Sequence, residues 1–148
     1  YGRGGSPLQN LIVRGKKATV ISAIKCVREL DAGPIYLKMP LTLDGTAKEI
    51  LDRASTVIQQ MIFKIVEGCG ELKDQLGDVV SFKRRVSDDG DLSHLETTTQ
   101  IYDYIRMLDA DNYPCAFIEI DNFRLEFTSA KHVGETVEAV VKFHRRDK

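Results

Sequence analysis

The sequence predicts an α/β chain, in which a strand-and-helix portion is followed by a small antiparallel, β-rich and partly barrel-like unit with one helix. Three observations carry this. Residues 19–27 and 35–39 are apolar and β-branched stretches on either side of the breaker Glu29-Leu30-Asp31-Ala32-Gly33-Pro34. Ile50, Leu51, Ala54, Val57, Ile58, Met61, Ile62, Ile65 and Val66 recur at three- and four-residue steps, which gathers them on one face of a helix. Residues 116–120, the turn Asp121-Asn122 and residues 123–127 alternate as a hairpin does. The expected units are 1–78 and 79–148.

Taken in order, Ser6-Pro7 opens a first helix. Serine offers an acceptor to a free amide, and proline fits the first helical position because its missing N–H is not needed there. Leu8, Leu11 and Ile12 continue that helix and Gly15 ends it. The strands at 19–27 and 35–39 pair antiparallel across their short connection, and Pro40 ends the second or marks an edge. Thr46 or Asp44 caps the long helix, Gly68 and Gly70 stop it, and its apolar stripe is expected to pack in a core. Residues 71–78 are a polar connector, 79–84 a short strand and 87–93 a loop of turn-forming residues. A second helix spans 96–108, capped by a threonine among 97–99, with Ile101, Tyr104, Ile105 and Leu108 as its apolar face. Gly134-Glu135 leads into a last strand at 136–143.

The 148 residues are 43% hydrophobic and 29% charged with a formal net charge of -1, which suits a globular protein with a sizeable core. Near-neutral charge argues against a general polyanion binder and leaves a local basic patch open. No apolar run approaches a membrane span, and no leader with a cleavage site is present. Cys26, Cys69 and Cys115 are scattered and odd in number, so each reads as a small apolar core residue in a reducing, cytoplasmic compartment.

Two stretches are candidates for chemistry. Gly2-Arg3-Gly4-Gly5-Ser6-Pro7 lacks both the Gly-Lys-Ser/Thr ending of a P-loop and the spacing of a dinucleotide loop. Asp31-Ala32-Gly33 reads as a turn, because aspartate bonds its own backbone and glycine takes positive φ. Loops on strand ends also carry catalytic carboxylates. Together, Arg3-Gly4-Gly5-Ser6-Pro7 and Glu29-Leu30-Asp31-Ala32-Gly33-Pro34-Ile35 resemble the folate-dependent formyltransferases, with Ile105-Arg106-Met107-Leu108 and Tyr113-Pro114-Cys115-Ala116-Phe117 similar to the family's later helix and the turn into its terminal sheet. Cys115 stands where many members have glycine. Phe82-Lys83-Arg84-Arg85 and the acidic residues after it look most like the sugar-modifying branch.

The resemblance implies that residues 1–78 are the C-terminal part of a Rossmann-like catalytic domain. It implies Asp31 as the catalytic carboxylate and Glu29, Leu30 and Asp31 as the wall of the pocket for 10-formyltetrahydrofolate, the formyl donor. Arg3, Gly4 and Arg84 are candidate contacts to the substrate, and Arg84-Arg85 could meet a nucleotide diphosphate. No metal site is expected.

Formyl transfer needs a neutral amine, a base for its proton, and hydrogen-bond donors for the oxyanion that forms. In the family a histidine and an asparagine supply those donors, and by the resemblance both fall ahead of Tyr1. The chain then reads as the back portion of such an enzyme, inactive alone and prone to self-association through an unpaired sheet edge. Its own His94, His132 and His144 read as solvated side chains without metal-ligand spacing. The expected acceptor is an amino sugar on a nucleotide. The alternatives are methionyl-tRNA, for which the tail looks short, and a non-catalytic binding module.

Overall fold

The computed structural model describes residues 2–68 and 70–146. Cys69 lies outside the described residues. The element order is β1 (Gly2–Gly4), α1 (Pro7–Val13), β2 (Ala18–Ile24), β3 (Ile35–Thr42), α2 (Ala47–Gly68), β4 (Val80–Phe82), a 3-10 turn (Ser87–Gly90), α3 (Thr98–Leu108), β5 (Ala116–Ile120), β6 (Phe123–Val133) and β7 (Thr136–Arg145). The fold is mixed α/β, with three helices and two antiparallel sheets.

The helix at Ser6-Pro7 forms, but the serine does not cap it. Ser6 takes a left-handed conformation with φ 47° and makes no side-chain cap bond. Its Oγ instead accepts the Arg85 amide at 3.1 Å, tying the start of α1 to the chain just beyond β4. Asn10 reinforces the same junction by donating to the carbonyls of Gly5, Ser6 and Lys83.

β2 and β3 pair antiparallel from Ala18↔Thr42 to Ile24↔Ile35. β3 runs through Pro40, which faces Val20; this two-stranded sheet is all edge, so a residue without an N–H fits inside it. β1 and β4 form a short parallel pair, so the strand assigned by sequence to the second unit is hydrogen-bonded to the first residues of the chain. β5, β6 and β7 make a three-stranded antiparallel sheet, and it is not closed into a barrel among the described residues. β6 extends to Val133, well beyond the five residues expected, because an irregularity between Thr128 and Lys131, with Ser129 at φ 54°, lets the strand continue past a kink.

One core holds these layers together. Ile12 of α1, Leu41 and Leu43 around the end of β3, Ile50 of α2, Ile105 and Met107 of α3, Ala116 of β5 and Ala130 of β6 are buried in a single cluster. The cluster takes side chains from both sides of the expected boundary. A buried arginine also bridges it: Arg106 Nε donates to Asp103 Oδ1 at 2.7 Å within α3, while its Nη1 reaches across to donate to the carbonyls of Leu43 and Gly45. The stripe on α2 is only partly used. Ile50 and Met61 are buried, whereas Leu51, Ile58, Ile62 and Val66 are exposed, so the expected packing of the whole face is corrected.

Candidate active site

The Asp31 loop is built by close backbone contacts. At its neck Lys25 N donates to the Pro34 carbonyl at 2.8 Å. A Cβ on Gly33 would overlap the Lys25 carbonyl oxygen, so only glycine fits there. Asp31 sits at φ 53°, a left-handed conformation that aspartate tolerates better than most residues. Its Oδ2 accepts the Gly4 amide at 3.0 Å. Gly4 is itself at φ 102°, and a Cβ there would collide with the Phe82 carbonyl of β4. The β1–β4 pairing therefore sets where the carboxylate is held.

The connector after α2 straps this loop down. Gln75 Nε2 donates to the carbonyls of Asp31 and Gly33, both at 2.8 Å. Its Oε1 accepts Arg3 Nη2 at 3.1 Å. Lys73 and Ile35 exchange backbone bonds of 3.0 and 2.7 Å beside it. Asp31 also lines an open, largely apolar cleft of about 840 Å³. Gly4 stands beside it, Leu8 and Leu11 of α1 and Val20 and Ile24 of β2 form two walls, and Leu51, Ala54 and Ile58 of α2 form a third. A carboxylate fixed by one amide at the edge of such a cleft can accept a proton or orient a cationic neighbour.

A solved structure of methionyl-tRNA formyltransferase from Clostridium thermocellum superposes on 97% of this chain and 64% of its own with a TM-score of 0.93, at 44% sequence identity. The relatives and structural neighbours of the chain are formyltransferases, and it matches the C-terminal part of that family. Residues 87–144 match the family model for the C-terminal domain of methionyl-tRNA formyltransferase. Methionyl-tRNA formyltransferase of Lactobacillus gasseri is 28% identical over 140 residues, which is 90% of this chain and 44% of that protein. The chain thus spans less than half the length of the curated relatives it matches best in coverage. An N-formyltransferase of Helicobacter canadensis, solved with folinic acid and dTDP-3-aminofucose, shares the fold at a TM-score of 0.54 and 12% identity, covering 84% of this chain and 57% of its own.

These relationships favour the methionyl-tRNA alternative over the sugar branch, since the substantial identities are to methionyl-tRNA formyltransferases. The segment behind that leaning has other work in this fold. Phe82 is a buried strand residue, and Arg85 donates to the Asp89 carbonyl at 2.7 Å with its guanidinium 5.2 Å from the Tyr104 ring. Arg84 is exposed and lies against Gly5, away from the residues that line the cleft with Asp31. Arg3 directs both terminal nitrogens to protein acceptors, Gln75 and Glu29, which leaves it a brace of the loop rather than a free substrate contact. Glu29 and Leu30 are exposed and do not line the cleft, so of the expected pocket wall the structure brings only Asp31 to it.

The histidines lie elsewhere. His94 meets Tyr104 edge-on, His132 meets Tyr102 in the same way, and His144 Nε2 is 3.2 Å from Glu126. Cys26 is exposed, against the expectation of a core residue. Cys115 is half-buried, and that burial pushes its thiol pKa up. Gln75 was missed by sequence reasoning, because a glutamine in a polar connector belongs to no period or motif.

Proposed function

We propose that this chain contributes the acidic catalytic group and the acceptor-side fold of a methionyl-tRNA formyltransferase, which moves a formyl group from 10-formyltetrahydrofolate to the amine of methionyl-tRNA. The observation that carries the reading is the Asp31 carboxylate, held by the Gly4 amide at the edge of the apolar cleft. The relatives at 28% and 44% identity favour tRNA over an amino sugar as acceptor.

The cleft suits a flat heterocycle. Its apolar walls would cover the ring face, and Asp31 supplies an acceptor for a polar edge. The donor, when bound, supplies the formyl carbon. Asp31 is proposed to take up the proton of the attacking amine or to hold a neighbouring imidazolium. Oδ2 is steadied by Gly4, while Oδ1 has no protein donor among the described residues. None of His94, His132 or His144 lines the cleft, so the donors for the developing oxyanion are not among these side chains. In this reading β1, α1, β2 and β3 belong to a Rossmann-like catalytic domain, and residues 87–144 are the terminal domain of the family.

The test is formylation of methionyl-tRNA by the natural full-length protein and its Asp31→Asn variant. The variant keeps the shape and loses the charge, and its kcat is expected to fall roughly a hundredfold or more. Wild-type turnover by that variant would overturn the assignment of Asp31. Turnover of an amino-sugar nucleotide in place of methionyl-tRNA would overturn the acceptor.

A further inference from the structure

Asp31 cannot hold its own position. Its φ of 53° lies in a region unfavourable to side-chain-bearing residues, and the loop from Lys25 to Pro34 has no strand partner of its own. Two of its carbonyls, those of Asp31 and Gly33, would lose water on approaching the connector and need donors there. One side chain supplies both. We propose that Gln75 is the positioning residue of the Asp31 site, and that Arg3 sets the orientation of its amide. This rests on the catalytic reading of Asp31 above.

The polarity of the network admits only one arrangement. Two carbonyl oxygens at 2.8 Å demand the NH2 end of the amide, and a guanidinium at 3.1 Å demands its oxygen. Arg3 is in turn the residue before Gly4, whose amide grips the carboxylate. The two ends of the catalytic residue, backbone carbonyl and side-chain oxygen, are therefore tied to adjacent points of one brace. Glu29 adds a longer contact of 3.5 Å to the other arm of Arg3. Gln75 approaches the backbone of Asp31 and not its carboxylate, so it acts through position alone. A displacement of the order of 1 Å at a reacting group costs about a hundredfold in rate.

The experiment compares Gln75→Ala, Gln75→Glu and Asp31→Asn in the natural full-length protein, with rates normalised to folded enzyme by circular dichroism. Gln75→Glu keeps the volume and the acceptor for Arg3 but turns an oxygen toward the two carbonyls. Both Gln75 variants are expected to lose roughly ten- to hundredfold in kcat. KM for methionyl-tRNA should stay within about threefold, and Gln75→Glu should be at least as impaired as Gln75→Ala. If Gln75→Glu turns over like wild type while Asp31→Asn is inactive, the side chain only fills space and the inference fails. A loss confined to KM also overturns it. An active Asp31→Asn enzyme would instead remove the reading beneath it, so the two failures are separable. Should Gln75→Ala not fold, the near-isosteric Gln75→Glu variant still decides.

Discussion

Gly33 and Asp31 illustrate how little freedom the site leaves its residues. Any Cβ at position 33 meets the Lys25 carbonyl, and the neck of the loop must open to admit it. Gly33→Ala is expected to cost more than about 2 kcal/mol, read as a lower urea midpoint at unchanged slope, and to lower formylation along with it. Reactivity at the cysteines follows from their surroundings. The Cys115 thiol is raised above its ordinary pKa first by burial and then by Glu126 and Asp109, so less of it is thiolate at neutral pH. Cys26 is exposed. Iodoacetamide at pH 7 should label Cys26 well before Cys115, and mass spectrometry of timed samples checks the order. Asp-x-Gly was legible in the sequence as a turn and as a site at once. The left-handed φ at Asp31 and the contact to Gly4 were not, because both depend on a strand, β4, far along the chain.

At the scale of elements, α2 and α3 show caps that sequence predicts well. Thr46 and Glu49 form a reciprocal cap: the Glu49 amide donates to Thr46 Oγ1 at 3.2 Å, and the Thr46 amide donates to Glu49 Oε2 at 2.8 Å. The Thr46 amide, and next its hydroxyl, hold the Glu49 carboxyl below its ordinary pKa of 4.5. A folded-state pKa lowered in this way stabilises the protein above the unfolded value, and that contribution is lost as pH falls through the folded one. Glu49→Gln should therefore flatten part of the acid-side loss of stability, measured by urea unfolding below about pH 5. Arg106 is a different case. Its side chain and that of Asp103 are 3% and 6% exposed, and the pair pins α3 to the turn between β3 and α2. Arg106→Ala leaves a buried carboxylate and two carbonyls unpartnered and is expected to cost roughly 3–5 kcal/mol in chemical denaturation. Replacing both members with apolar residues should cost less than that. The apolar periodicity of α3 predicted a helix, yet nothing in it marked Asp103 and Arg106 as interior, since i and i+3 charge pairs are usual on solvated faces.

Across the whole molecule, the apolar surface is larger than one core uses. Leu51 and Ile58 line the cleft, and Ile62 and Val66 continue the stripe into solvent. Among the described residues β2 is paired on one side only, to β3. A polypeptide of these 148 residues is therefore expected to associate at micromolar concentration, and Ile62→Glu should shift it toward monomer in sedimentation velocity. A monomer across that range would show that the stripe is tolerated by itself. The same reasoning explains why the expected packing of the full α2 face was not met: periodicity reports which side of a helix is apolar and is silent on what covers it.

Local chemistry in the sequence determined the elements: the strand pair around Asp31, the long helix with its cap, and the hairpin of the terminal sheet. It also carried the resemblance to the formyltransferases, because Arg-Gly-x-x-Pro and Asp-Ala-Gly are short contiguous signals read without knowing the fold. Only the tertiary structure decided what those signals touch. The parallel pairing of β1 with β4, the Gln75 strap over the Asp31 loop and the bond from Arg106 to the Leu43 carbonyl each join residues more than forty positions apart. Contacts of that kind are selected by the closure of the whole core, and a single stretch of chain holds no record of them.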